Sequence, residues 1–226
     1  AFLGLNHPHP PYHAEKKYLD LIDENLIAPP KAPSKPEDNK PSMQYELCEA
    51  LGIGDWDDEN KLALRKTYLA QCARVDDFTG RIIQALKDTG RYDNAAIFFF
   101  ADHGDFTADY GIPEKAQNLF DDCLVKVPLI VKLPKSMQSD SGINSNPVEL
   151  IDFFATVLDI TETEAGHTHF GRSLKNTIAD KNVVVRDFVC SEGGRLQGEE
   201  HCTEEVENYF GVVADEYAPR INIQQK

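Results

Sequence analysis

Four groups with metal-binding or acid–base chemistry follow directly on an apolar run: Asp102, His103, Asp105 and Asp109 stand behind AAIFFFA, Ala95 to Ala101. A carboxylate beside an imidazole suits a divalent cation of intermediate or hard character. The further carboxylates tilt that pair toward calcium, magnesium or manganese and away from structural zinc. Adjacent side chains in an extended segment point to opposite faces, so Asp102 and His103 reach one ion only if the chain turns sharply there. Gly104 permits such a turn. The simple alternative is a strand that ends in a solvated acidic turn, because DHG alone is a short string.

Other candidates lie elsewhere in the chain. NHPHPPYH, Asn6 to His13, carries three histidines on a loop stiffened by three prolines. GIPEK places Lys115 beyond a glycine turn. His167 and His169 form an HTH pair that reads as solvated loop rather than as ligands, and Asp76 and Asp77 read as solvent-facing residues of a helix.

The elements that must position these groups are legible in outline. A short continuous apolar run such as 95–101 reads as a strand buried on both faces, as in a parallel sheet, and ligands collect at the carboxyl ends of such strands. Ahead of it, apolar residues recur at helical spacing from Glu59 to Thr89 (Leu62, Leu69, Cys72, Val75, Ile82, Ile83, Leu86). Asp57 or Asp58 is available as N-cap and Gly90 closes the helix. Helix, short turn and strand make an αβ step that a right-handed crossover would place in a parallel sheet. Val127 to Pro134 predicts a second strand, Pro147 to Ile160 a helix with proline in its first turn, and Val183 to Cys190 a third strand. Residues 2–5 predict a short strand, and the five prolines of Ala28 to Ser42 predict an extended surface excursion.

Composition narrows the classes. The 226 residues suffice for one large domain or two modest ones, and 41% hydrophobic with 27% charged residues is ordinary for a globular protein. With 23 basic against 38 acidic side chains the net charge is −15, which opposes nucleic acid and anionic membrane surfaces as partners. An anionic ligand would need a metal or a few well-placed cations to overcome that field. The five widely spaced cysteines fit neither a disulfide framework nor a CxxC site; they read as reduced thiols and lean toward a cytoplasmic location. No apolar segment approaches the roughly 20 residues that span a bilayer. Both ends are abrupt, which reads as part of a longer chain whose signal sequence, if any, would lie outside it.

Six stretches in one order now carry a resemblance: PHPPY; VDDFTGRIIQALKDTGRYDNAAIFFFADHGD; GIPEK; FDDCLVKVPLIVKLP; VELIDFFATVLDI; and FGRSL. Together they resemble the middle and later part of a type I sulfatase of the alkaline phosphatase superfamily, over residues 2 to about 195. The resemblance implies an α/β fold, a three-layer sandwich with a mostly parallel sheet, here incomplete. Residues 1–180 would be the later part of that domain, and residues 181–226 its last strand and the start of a C-terminal subdomain. Asp102 and His103 fall on positions that hold the active-site cation, usually calcium, with manganese or magnesium as alternatives. Lys115 falls on the lysine that contacts sulfate or leaving-group oxygens, and His9 on the histidine that binds sulfate and assists the leaving group; His7 is its neighbour. The implied substrate is a sulfated small molecule or glycan, and the implied reaction is sulfate ester hydrolysis. A phosphonate or phosphate ester hydrolase of the same superfamily, or a non-catalytic domain of this fold, are the alternatives.

The sequence also departs from that pattern. The family's nucleophile is a formylglycine made from the cysteine or serine of C/S-x-P-x-R, and the cysteine contexts CEALG, CARVD, CLVKV, CSEGG and CTEEV all fail that pattern. The expectation is a chain with part of an active site and no turnover of its own. Tyr110 stands where relatives often have histidine, and Lys126 where arginine is commoner.

Overall fold

The computed structural model describes residues 1–51, 56–193 and 220–225. Residues 2–5, expected as a strand, are irregular, with Phe2 84% exposed: no strand among the described residues pairs with them. A one-turn helix, α1 (Lys16–Leu19), and α2 (Ser42–Leu51) precede the longest element, α3 (Asp58–Asp88). The ends of α3 follow from its caps. Asp57 accepts the N–H of Asn60 at 2.8 Å, Asp58 and Glu59 fill the first turn, and Gly90 takes a φ of +66° just beyond the last. Its buried face runs through Leu64, Ala70, Gln71 and Val75, whereas Leu69, expected on the apolar stripe, is 40% exposed.

A 3₁₀ turn at Tyr92–Asn94 leads into β1 (Ile97–Phe100), and β2 (Leu129–Lys132) returns beside it. The pairing is antiparallel, with Ile97 opposite Lys132 and Phe100 opposite Leu129, so the parallel neighbour expected for this strand is corrected. A parallel return is usually made by a crossover helix, and the connection here holds a 3₁₀ turn at Asp109–Gly111 and the one-turn α4 (Asp122–Val125). β1 is also half-buried along its length rather than fully enclosed. One face is covered: Phe98 and Phe100, two residues apart, both meet Phe153 at 5.0 Å between ring centroids.

Phe153 belongs to α5 (Ile151–Thr161), which begins four residues after Pro147 rather than at it. Beyond it come α6 (Lys175–Ala179) and β3 (Phe188–Gly193), the latter paired antiparallel with β4 (Arg220–Gln225). β3 starts five residues later than the expected Val183. Residues 183–187 stay irregular because Arg186 turns inward. Its guanidinium pairs with Glu149 and with the fully buried Asp152, whose carboxylate also accepts the N–H groups of Arg172 and Glu149 at 2.8 Å each. This network ties the start of α5 to the segment after it. Most of the expected C-terminal subdomain lies outside the described residues.

The largest apolar cluster joins α2 to the connection between β1 and β2: Met43, Leu47, Phe106, Ile112, Leu119 and Leu124. Phe106 and Ile112 are fully buried, each contributing roughly 1.5–3 kcal/mol. The segment that carries the candidate chemistry is therefore among the best-packed parts of the chain. The proline-rich stretch, expected to be unpacked, docks on it. The carbonyl of Lys31 accepts the N–H of Tyr110 at 3.0 Å, and Ser34 is buried.

Candidate functional site

The chain leaves β1 at Ala101 and is caught at once by α4. Gly104 N–H donates to the Leu124 carbonyl at 2.7 Å and Asp105 N–H to the Cys123 carbonyl at 3.0 Å. A Cβ on residue 104 would lie 1.8 Å from that Cys123 oxygen, so the glycine is required by backbone proximity. A strained stretch comes next, with positive φ at Thr107, Ala108, Tyr110 and Gly111. Asp109 holds it: its Oδ1 pairs with Arg65 of α3 at 2.8 Å and accepts the N–H of Lys31 at 3.0 Å. Asp109 thus joins α3 and the proline-rich stretch to this segment.

Asp102 and His103 stand at the lip of this segment. The Asp102 side chain is 88% exposed and that of His103 41%. Asp102 Oδ1 accepts the N–H of His103 at 3.0 Å. His103 Nδ1 lies 2.7 Å from the carbonyl of Gly104, which assigns the ring proton to Nδ1 and leaves the Nε2 lone pair free. That lone pair is 3.9 Å from Asp102 Oδ2. Two electron-pair donors of cation-binding type therefore face each other, and the donor set fits a shared divalent ion. Among the described residues no group of three or more potential metal-ligating side chains forms.

The histidine loop reaches the same region from the N-terminal end of the chain. His9 N–H closes a turn on Asn6 O at 2.9 Å, and its Nδ1 lies 2.7 Å from the carbonyl of Pro10, which leaves Nε2 as acceptor. Lys115 Nζ sits 3.0 Å from that Nε2 and 3.0 Å from Glu114 Oε2. Two residues singled out separately in the sequence are thus in contact. His7 goes elsewhere: its Nδ1 meets Gln71 Nε2 of α3 at 3.4 Å, and its ring lies edge-on to His13 at 5.9 Å. Burial holds the His7 pKa below the ordinary imidazole value, helped by the charges of Arg74 and His13.

Two positioning side chains escaped the sequence reading. Tyr12 donates its hydroxyl to Asp105 Oδ2 at 2.8 Å and lies 3.3 Å from the carbonyl of Pro113. Gln71 is fully buried and reaches Pro11 O at 3.3 Å. Tyr12 sits inside the quoted PHPPY, and Gln71 is a polar residue in the middle of an apolar helix face; those were the available signals. Asp105, half-buried, also accepts the N–H of Thr107 at 2.8 Å. Burial raises its pKa above the usual carboxylate value, against the pull of the bonds from Tyr12 and Thr107.

The remaining candidates lie apart from this arrangement. His167 and His169 flank Phe154, one stacked at 5.6 Å and one edge-on at 5.4 Å. Asp77 accepts the Tyr18 hydroxyl at 2.7 Å, while Asp76 is exposed. Tyr110 lies between the ammonium groups of Lys31 and Lys40, at 5.0 and 4.5 Å from its ring. What remains is a paired imidazole and ammonium and a carboxylate–imidazole lip, on one framework.

That framework has close counterparts. Arylsulfatase K of Danio rerio is 28% identical over 70% of this chain and 32% of its own length. The choline-sulfatase of Rhizobium meliloti is 27% identical over 70% of this chain and 30% of its own. The chain thus spans about a third of the length of these curated relatives. Among solved structures, a phosphonate monoester hydrolase from Silicibacter pomeroyi superposes with a TM-score of 0.78 at 25% identity, over 96% of this chain and 44% of that one. The α/β fold is the one these hydrolases share. The family model for Sulfatase matches residues 1–163, a span that contains the histidine loop, the Asp102–His103 lip and Lys115, and the chain belongs to the sulfatase family.

Proposed function

We propose that the intact protein hydrolyses sulfate monoesters, and that this chain supplies the groups acting on the sulfate oxygens and the leaving group. The contact between His9 Nε2 and Lys115 Nζ, made across 106 residues of sequence, carries the reading. Cleavage of a sulfate ester S–O bond leaves negative charge on the departing oxygen and on the non-bridging oxygens. A fixed ammonium stabilises that charge more in the transition state than in the ground state. Lys115 is such a group. His9 Nε2 accepts from that ammonium in the structure; when it takes up a proton it stops accepting and becomes a donor that can deliver the proton to the departing oxygen. Glu114, 3.0 Å from Lys115, holds the ammonium in place.

Asp102 and His103 would hold a divalent cation, calcium first and manganese or magnesium next, which when bound supplies further positive charge for the sulfate oxygens. The nucleophile is assigned to a formylglycine outside this chain, because no cysteine here sits in the required pattern. The organic half of the ester is a small molecule or a glycan.

The test is kinetic, on the intact protein with a chromogenic aryl sulfate. His9→Ala and Lys115→Met are each expected to cut kcat/KM by about 100-fold or more. Wild-type rates in both variants would remove these residues from the reaction. A second reading, phosphonate monoester hydrolysis, is favoured by the superposition on the Silicibacter pomeroyi enzyme. The ratio of kcat/KM values for an aryl sulfate and an aryl phosphonate monoester, measured side by side, decides between them.

A further inference from the structure

We propose that Tyr12 is a positioning residue of the sulfatase site: its hydrogen bond to Asp105 latches the histidine loop to the 102–115 segment and sets the contact between His9 and Lys115. This rests on the function proposed above. The two partners of that contact come from separate stretches of chain, and His9 is exposed, so packing of its own ring does not place it. Tyr12 is three residues on, and its hydroxyl crosses the gap to two points on the other stretch. It donates to Asp105 at 2.8 Å and lies 3.3 Å from Pro113 O, two residues before Lys115. Asp105 is itself fixed, through its N–H on Cys123 O and its carboxylate on Thr107 N–H.

The ring of Tyr12 is anchored separately from its hydroxyl. It packs with Leu64 of α3 and with Ala108, and meets Tyr68 edge-on at 6.4 Å. Burial and the Asp105 carboxylate keep the hydroxyl protonated, so it remains a donor at every physiological pH. Phenylalanine at this position keeps the packing and deletes only the latch. That separation makes the idea testable, because a residue that merely stabilises the fold would lose little in Tyr12→Phe.

The experiment compares the intact protein with Tyr12→Phe in two readouts. The first is the ¹⁵N signal of the His9 ring, recorded with and without Lys115→Met. In the wild-type background the lysine change is expected to shift the His9 signal, and in the Tyr12→Phe background it is expected to do so no longer. The second is turnover of an aryl sulfate, where Tyr12→Phe is expected to lower kcat by about ten- to a hundredfold at little change in Tm. A His9 signal that answers to Lys115 equally in both backgrounds overturns the proposal. So does a Tm loss with kcat unchanged. Should Tyr12→Phe not fold, Asp105→Ala, which removes the acceptor and leaves the Tyr12 ring in place, is read the same way. If the wild type turns over no sulfate ester, the proposed function fails, while the ring signal still decides the latch.

Discussion

His7 and His9 are two residues apart, yet the fold gives them opposite surroundings. His9 is exposed and holds Lys115, whereas His7 is half-buried against Gln71 and feels Arg74 and His13. The partners have a consequence for stability. Because the folded-state pKa of His7 lies below the ordinary value of about 6.5, the unfolded chain binds this proton more readily than the folded one. The contribution is therefore complete above that value and is lost as pH falls through the folded pKa. Asp105 has the opposite sign: its raised pKa favours the folded state at low pH, and that contribution is lost as pH rises. A thermal unfolding series from pH 7.5 to 5 is expected to show Tm falling as the solution is acidified. The fall should be shallower in His7→Gln, which keeps a polar group facing Gln71. Parallel curves would remove His7 as the source.

The elements show where sequence patterns carry structural information and where tertiary context takes over. The ends of α3 were legible because capping is local: Asp57 and Gly90 act within one turn of the helix. The centres of β1 and β2 were legible from apolar runs, but their mutual direction was not, since strand direction is set by the path of the connection and not by the strands. α2 went unread because its buried face, Met43, Gln44, Leu47 and Cys48, is short and interrupted by a polar residue. Within the candidate site, Asp102, His103, Lys115 and His9 could be singled out from type and order, and the contact of Lys115 with His9 could not. Tyr12 and Gln71 act through long-range contacts that no local pattern announces. The start of α5 is a similar case, because its most buried side chain is the acid Asp152, matched by Arg186 from 34 residues away. Removing one partner of such a pair leaves the other buried and uncompensated. Arg186→Met is expected to destabilise the protein by about 3–5 kcal/mol in a denaturant titration. A change within 1 kcal/mol, about the size of a surface ion pair, would mean that the backbone N–H donors of Arg172 and Glu149 suffice for Asp152.

At the scale of the chain the charge balance sets a problem that the proposed reaction has to solve. A net charge of −15 repels an anionic ester, and Lys115 is a single positive charge already shared with Glu114. The same field attracts a divalent cation, and Asp102, the most exposed carboxylate of the lip, is where that attraction would be used. Bound there, the ion would reverse the sign of the local field at the place the sulfate must approach. Calcium takes six to eight oxygen ligands, more than Asp102 and His103 can supply, so tight binding requires groups beyond these two residues. The chain covers about a third of its sulfatase relatives, which gives such groups a place to come from. Calorimetric titration of the intact protein with calcium is therefore expected to give one site whose affinity drops at least about tenfold in Asp102→Ala, with sulfate ester turnover falling in step. Equal affinity in wild type and variant would separate the cation from this lip. The charge problem would then rest on Lys115 and protonated His9 alone, and turnover should rise with ionic strength as salt screens the repulsion.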